Sequence, residues 1–123
     1  MLLKNDLASR TALSDALIDY YKKYGNRHMR IFSETEDKEW DAFDLHFLLD
    51  RKHVIKYGIC GNRHSYTGGV GLAIGPHYFA PSDFWSYENS QRFKMAATTD
   101  AVEHNLRLLD EFLGYPVPKP PLG

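Results

Sequence analysis

Residues 43–50 constrain the fold most, because their apolar and polar side chains alternate with a period of two. One face carries Phe43, Leu45, Phe47 and Leu49, and the other carries Asp44, His46, Leu48 and Asp50. Such alternation is typical of an antiparallel strand with one buried and one mixed face. The rest of the chain must therefore supply a layer that covers the apolar face.

Other short segments predict further strands, separated by residues that favour turns. The predicted strands are residues 28–33, 54–60, 69–74 and a last short one at 91–97. Arg51 and Lys52, Gly61 and Asn62, and residues 67–69 are the predicted turns, since glycine and asparagine tolerate positive φ. Short strands joined in this way favour an antiparallel meander.

Two segments have the period of a helix. In residues 13–24 the apolar side chains recur at steps of three and four, which predicts a first helix. Thr11 or Ser14 is its predicted cap, although Leu3 and Leu7 indicate a start one or two turns earlier. A second helix is predicted from Thr99 or Asp100 to Leu113, with Asp100 and Glu103 spaced as a capping box and Gly114 as its end.

The segment between the last long strand and the second helix, residues 73–93, is rich in aromatic side chains. We expect it to be an irregular connection that packs between the sheet and the second helix, with Trp85 and Tyr87 reaching the surface. Because aromatic rings dominate core energetics, replacing Phe84 or Trp85 by alanine is expected to cost about 3–5 kcal/mol.

These patterns together predict a single α+β domain spanning residues 1–123. It comprises an antiparallel sheet of about four to five strands, with an N-terminal and a C-terminal helix packed on it. Four of the nine residues in 115–123 are proline, so this segment is predicted to be an extended tail.

Composition excludes several classes of function. A formal net charge of −1 argues against direct nucleic-acid binding, which requires an excess of Lys and Arg to neutralise phosphates. Cys60 is the single cysteine, so no disulfide forms within the chain and a reducing compartment is favoured. Neither a signal peptide nor a membrane-spanning run is evident, and we expect a cytoplasmic protein with no membrane partner.

Signatures of catalysis and of cofactor binding are missing from the sequence. The six histidines do not form HExxH or a comparable ligand pattern, the glycines around Gly69 do not match a nucleotide-binding loop, and Cys60 with His64 lacks a placed third partner. We therefore expect no enzymatic activity, no metal and no cofactor.

An acidic run is the sequence's strongest candidate for a binding surface. Between residues 34 and 44 there are six carboxylates and one lysine, Lys38, so the local charge is −5. Residues 34–41 are too polar to be buried and are expected to form a loop or a hairpin arm. A solvated loop and strand face, or a surface complementary to a basic partner, would each explain the run, and Trp40 in its middle resembles an interface anchor. The candidate partner-binding residues are Glu34, Glu36, Asp37, Glu39, Trp40, Asp41 and Asp44, together with Trp85 and Tyr87.

From Trp40 to Leu113 the chain resembles the small immunity proteins of bacterial polymorphic toxin systems. The resemblance lies in the strand FDLHFLL, the segment YFAPSDFWSYENSQRF and the helix TDAVEHNLRLLDEFL. It implies a non-enzymatic cytoplasmic protein that binds one cognate toxin and blocks its active site or substrate access. If that toxin is a nuclease or another effector with a basic surface, the acidic run would mimic phosphate charge.

The alternative is a small ligand-binding or subunit-type domain. Its pocket would lie between the sheet and the C-terminal helix and would be lined by Tyr78, Phe79, Phe84 and Trp85. A homo-oligomer is compatible with either interpretation.

Overall fold

The computed structural model describes residues 1–25, 29–48, 53–61 and 65–114, except for the side chains of residues 24 and 25. In chain order the elements are α1 (Leu7–Tyr20), a π-helical turn (Tyr21–Gly25), β1 (Arg30–Asp37), β2 (Ala42–Leu48), β3 (Val54–Gly61), β4 (Tyr66–Ile74), β5 (His77–Phe79), α2 (Pro81–Phe84), α3 (Tyr87–Ser90) and α4 (Thr99–Leu113). The predicted mixed α+β class is confirmed.

The five strands form one sheet in the order β1-β2-β3-β4-β5, and every neighbouring pair is antiparallel. The predicted antiparallel sheet is therefore confirmed. Register places Phe43 opposite Ile59 and Phe47 opposite Ile55, so the apolar faces of β2 and β3 coincide. The side chains of this face are buried, and both long helices pack over it.

Helix α1 begins earlier than the periodicity predicted. Asp6, rather than Thr11 or Ser14, caps it by accepting a hydrogen bond of 2.7 Å from the backbone N–H of Ser9. That bond also holds the pKa of Asp6 below its ordinary value. Leu13 and Leu17 are buried as expected, and the earlier start that Leu3 and Leu7 indicated is confirmed, although Leu7 itself faces solvent.

Helix α4 has the predicted span with a different cap. The Thr98 side chain accepts from the backbone N–H of Ala101 at 3.3 Å, so the predicted box of Asp100 and Glu103 is wrong. Gly114 ends the helix in the left-handed region at φ 80°, as predicted from the preference of that position for glycine. Val102, Leu106 and Leu109 fill the core.

Three of the predicted strands differ from what the structure shows. β1 continues to Asp37, so the first half of the acidic run is strand. β4 begins at Tyr66, so the predicted turn at residues 67–69 is wrong. Residues 91–97 form no strand and make only an isolated bridge from Ala96 to Thr67.

The aromatic segment contains regular structure that its composition did not predict. β5, α2 and α3 lie within it, and its rings meet α4 at Phe112, which lies 4.6 Å from Phe84 and 5.6 Å from Trp85 between ring centroids. Asn105 of α4 fixes the chain that follows by bonding both the N–H and the C=O of Lys94, at 2.8 and 2.9 Å.

Some predicted features lie outside the described residues, namely the turn at Arg51 and Lys52, the turn residue Asn62, and the proline-rich tail at 115–123. Within the described part of the chain, no helix has the length and apolar character needed to cross a membrane.

Candidate functional site

The turn between β1 and β2, residues 37–41, forms a hairpin tip whose backbone is fixed from within. The Asp37 carboxylate accepts hydrogen bonds from the backbone N–H groups of Glu39 and Trp40, at 3.0 and 3.2 Å. Asp41 then takes a φ of 49°, a conformation that aspartate tolerates better than most residues. The acidic residues are thus part of the turn's own construction.

The neighbouring strands brace the same tip. The backbone N–H of Gly61 donates to the carbonyl of Asp41 at 3.0 Å, and the Tyr66 hydroxyl donates to the Asp41 carboxylate. Because that hydrogen bond favours the protonated phenol, it raises the pKa of Tyr66. The tip is therefore held by β3 and β4 as well as by its own strands.

Trp40 stands at this fixed tip with its side chain 64% exposed. Most large apolar side chains of a folded domain find cover, and an exposed tryptophan flanked by charges has the composition of an interface anchor. The structure therefore presents an aromatic ring on a preorganised acidic turn.

The acidic run is divided between two faces of the sheet. Glu34 and Glu36 lie on the helix side, where Glu34 pairs with Arg10 at 2.7 Å and Glu36 accepts from Asn5 at 3.4 Å. Asp44 lies on the opposite face. Arg10 and Lys56 each pair with one carboxylate of the run, so the run together with these two cations has a net charge of −3 rather than −5. The tip itself, residues 37–41, has a net charge of −2.

Trp85 and Tyr87 belong to a different region from the hairpin tip. Trp85 is half-buried, packed edge-on to Phe93 and beneath the Arg92 guanidinium, which lies 5.8 Å from the ring centroid. Tyr87 begins α3 and is 76% exposed. The structure joins Asp37, Glu39, Trp40 and Asp41 into one site and leaves these two aromatics to a second surface.

The sheet face away from the long helices carries a cavity that the sequence did not reveal. It has a volume of about 190 Å³, and we call it the open-face cavity; its lining includes Asp44, Lys56, Gly58, Cys60, Gly69 and Tyr78. Register aligns Asp44, Gly58 and Gly69 in one row across β2, β3 and β4. The alternation of β2 and β3 marked Asp44 and Lys56 as outward-facing, but the pairing with β4 cannot be read from sequence.

The charged groups of the open-face cavity are in contact. The Lys56 ammonium lies 3.3 Å from the Asp44 carboxylate and 4.3 Å from the centroid of the Tyr78 ring. Glycine at positions 58 and 71 leaves the space that the Asp44 carboxylate and the Tyr78 ring occupy. Burial, with the nearby carboxylates of Asp44 and Asp83, raises the pKa of Tyr78 to about 12.

A larger cavity of about 320 Å³ adjoins it at the edge of β4. Tyr78 lines this cavity as predicted, but Phe79, Phe84 and Trp85 do not, because Phe84 and Trp85 pack against Phe112. The space lies among β4, β5, α2, α3 and the segment that follows α3, rather than between the sheet and α4.

The histidines are dispersed over the molecule. Among the residues that the structure describes, no three histidine, cysteine or acidic side chains converge as metal ligands, and His28 and His64 fall outside that part. Cys60 is exposed and its thiol lies 3.7 Å from the carbonyl oxygen of Trp40, beside the hairpin tip.

Comparison with known proteins gives no match: no protein-family model, no curated protein and no solved structure corresponds to this chain.

Proposed function

We propose that this chain is a non-enzymatic, cytoplasmic immunity protein that binds a cognate bacterial toxin and blocks its active site or substrate access. The observation that carries the proposal is the exposed Trp40 on a hairpin tip whose backbone is fixed by Asp37, Gly61 and Tyr66. The immunity role itself comes from the resemblance of residues 40–113 to that class of protein.

Preorganisation supports a role of the tip in binding. Ordering a loop on association costs free energy, so a turn that is already fixed retains more of its contact energy as affinity. A tryptophan that is covered only in the complex contributes a large apolar area, and truncation of such anchors commonly costs at least 2 kcal/mol of binding free energy. Trp40 is exposed on a turn whose backbone is already fixed, as such an anchor requires.

The charge of the tip supports a basic partner. The tip has a net charge of −2, and the acidic run with its paired Arg10 and Lys56 has −3, on a chain whose overall charge is −1. Clustered charge accelerates encounter with an oppositely charged surface and selects against acidic partners. A nuclease, whose phosphate-binding surface is basic, is a toxin that this surface would fit.

The proposal is tested by co-expressing the chain with a toxin-like reading frame encoded next to it, and by scoring growth rescue and co-purification. We expect Trp40→Ala to lower affinity at least 30-fold, which corresponds to about 2 kcal/mol. Ile74→Ala is the matched control, because Ile74 is also exposed, at 62%, and lies at the end of β4 that is far from the hairpin tip. Tyr87→Ala tests whether the second surface, which carries Trp85 and Tyr87, contributes to binding.

Equal capture of the toxin by the Trp40 variant and the unchanged chain would overturn the assignment of the tip. Loss of capture in the Tyr87 variant alone would move the interface to α3. Absence of both rescue and co-purification would overturn the immunity role.

The cavity of about 320 Å³ supports the second candidate, a small-ligand-binding domain. Its volume reaches the lower end of the range of ligand pockets, about 300–1,000 Å³, and its lining combines Val70, Phe93 and Met95 with polar groups such as Ser82. Stabilisation of the chain against heat by a metabolite, lost in Phe93→Ala, would favour this function over toxin binding.

A further inference from the structure

Gly69 occupies a position where neither the backbone nor its neighbours require glycine. It lies inside β4, its φ is outside the left-handed region, and a Cβ built on it would meet no atom within 4 Å. Glycine within a strand costs stability, and it often marks a place where a ligand or another chain approaches closely. The missing side chain keeps the floor of the open-face cavity clear.

The walls of this cavity are suited to a cation. The ammonium of Lys56 already lies between the Asp44 carboxylate and the face of Tyr78, so the two groups together hold a positive charge. Attraction of a cation to a tyrosine face adds to the ion pair. Asp83 contributes a further negative charge near Tyr78 and, after burial and Asp44, is a third cause of the raised pKa of that phenol.

The shape of the cavity favours a guanidinium over an ammonium. Gly69 leaves part of the floor without a side chain, beside Gly58, over which the Asp44 carboxylate lies. A planar guanidinium can lie on such a surface, stack on a ring and bond a carboxylate with two N–H groups, whereas an ammonium is a compact point charge.

We propose that the open-face cavity is a subsite for an arginine side chain on the surface of the partner, with Asp44 as its carboxylate and Tyr78 as its aromatic face. The inference rests on the proposed function for the existence of a basic partner. The cavity adjoins the hairpin tip through Ala42, which pairs with Asp37 across β1 and β2. An arginine seated here and a surface covering Trp40 therefore belong to one interface.

The role of Lys56 follows from this arrangement. The Lys56 ammonium contacts Asp44 and Tyr78, the two groups that the incoming guanidinium needs, so Lys56 competes with the guanidinium for them. Replacement of Lys56 by methionine keeps an apolar stem of similar length and releases both Asp44 and Tyr78. Arginine binding should then become several-fold tighter, whereas a site that holds an anion through Lys56 would lose its ligand.

The experiment is a titration of the ¹⁵N-labelled full chain with N-acetyl-arginine amide, followed by NMR. N-acetyl-citrulline amide serves as the uncharged probe of the same shape. We expect the amide signals of Gly58 and Gly69 to shift with the arginine probe and to stay in place with the citrulline probe. Lys56→Met should increase the apparent affinity, and Gly69→Val should abolish the shifts while raising the melting temperature.

Ala8→Val is the matched control for added bulk, because Ala8 is exposed on α1 in the other layer. Its titration should equal that of the unchanged chain. Equal shifts with both probes, no shift at Gly58 and Gly69, or weaker binding by the Lys56 variant would each overturn the subsite.

These outcomes are independent of toxin capture. Trp40→Ala should leave the arginine titration unchanged while it blocks co-purification. If the titration fails and the toxin is still captured through Trp40, the subsite alone is wrong. If the titration succeeds and no toxin is captured, the proposed immunity role alone is wrong.

Discussion

Glycine at position 69 costs the fold stability, and it keeps the proposed arginine subsite free of a side chain. Because the position is in strand conformation with open space on its side, the structure predicts that Gly69→Ala raises the free energy of unfolding by about 0.5–1 kcal/mol. Chemical denaturation measures the change. Gly71→Ala is the control and should destabilise, since its Cβ would collide with the Tyr78 ring.

The buried phenol of Tyr57 gives the fold a dependence on alkaline pH. Burial raises its pKa to about 12, and Asn105, which donates to the phenol oxygen at 3.1 Å, only partly opposes this. The native state therefore keeps a proton that the unfolded chain releases above pH 10.0. The stability tied to that proton is fully present below pH 10.0 and is lost as the pH rises towards 12.

We expect a loss of about 2–3 kcal/mol in the free energy of unfolding over this interval. Denaturant midpoints measured across the interval would show it, and Tyr57→Phe should flatten the profile. A profile of equal slope in that variant would assign the pH dependence to other tyrosines, such as Tyr78.

At the scale of elements, the join between the α2 region and α4 depends on Phe112. Phe84 and Trp85 are half-buried rather than enclosed, so the structure lowers the expected cost of replacing either by alanine from 3–5 to about 1–3 kcal/mol. A double-mutant cycle of Phe84 and Phe112 should give a coupling of about 0.5–1.5 kcal/mol. The pair Phe84 and Phe32 is the control. Strictly additive changes in the free energy of unfolding for Phe84 and Phe112 would contradict the contact between their rings.

The elements differ in how far the sequence could reveal them. The alternation in β2 and the steps of four and three in α4 reflect one buried face each, and both were predictable. For residues 34–37 the sequence left a loop and a hairpin arm open, because Glu34 finds Arg10 only after α1 has folded across the sheet. Gly68 and Gly69 resembled a turn because the partners that hold them in β4 lie on β3 and at Met95.

The candidate site shows the same limit. Trp40 and the carboxylates of the tip are contiguous in sequence, so composition alone identified them. The open-face cavity takes its residues from β2, β3, β4 and β5, and its existence depends on the register of three strand pairs. Register depends on the geometry of the turns that join the strands as well as on the apolar pattern, so it cannot be read from one strand alone.

For the whole molecule, the distribution of charge predicts how association depends on salt. The chain is nearly neutral, so attraction to a basic partner must come from the hairpin tip, and screening acts over about 10 Å at 0.1 M salt. We expect the association rate with the toxin to fall as ionic strength rises. Glu39→Lys should weaken that dependence, whereas Glu88→Lys, an exposed charge reversal on α3, should not. Stopped-flow rates at several salt concentrations make the comparison, and equal slopes for the two variants would contradict the proposal.

The pairing of the first residues with the segment before α4 bears on the order in which the chain acquires its structure. The Leu3 N–H donates to the carbonyl of Ala97 at 2.7 Å, and Leu2 bridges Thr98. During synthesis the meander of β1 to β4 can close through neighbouring hairpins and α1 can pack on part of it, but α4, the last helix in the described part of the chain, is released later. The half-made protein therefore carries an apolar sheet face that is covered only in part. A chaperone that shields such surfaces would act on this chain in the interval before α4 emerges.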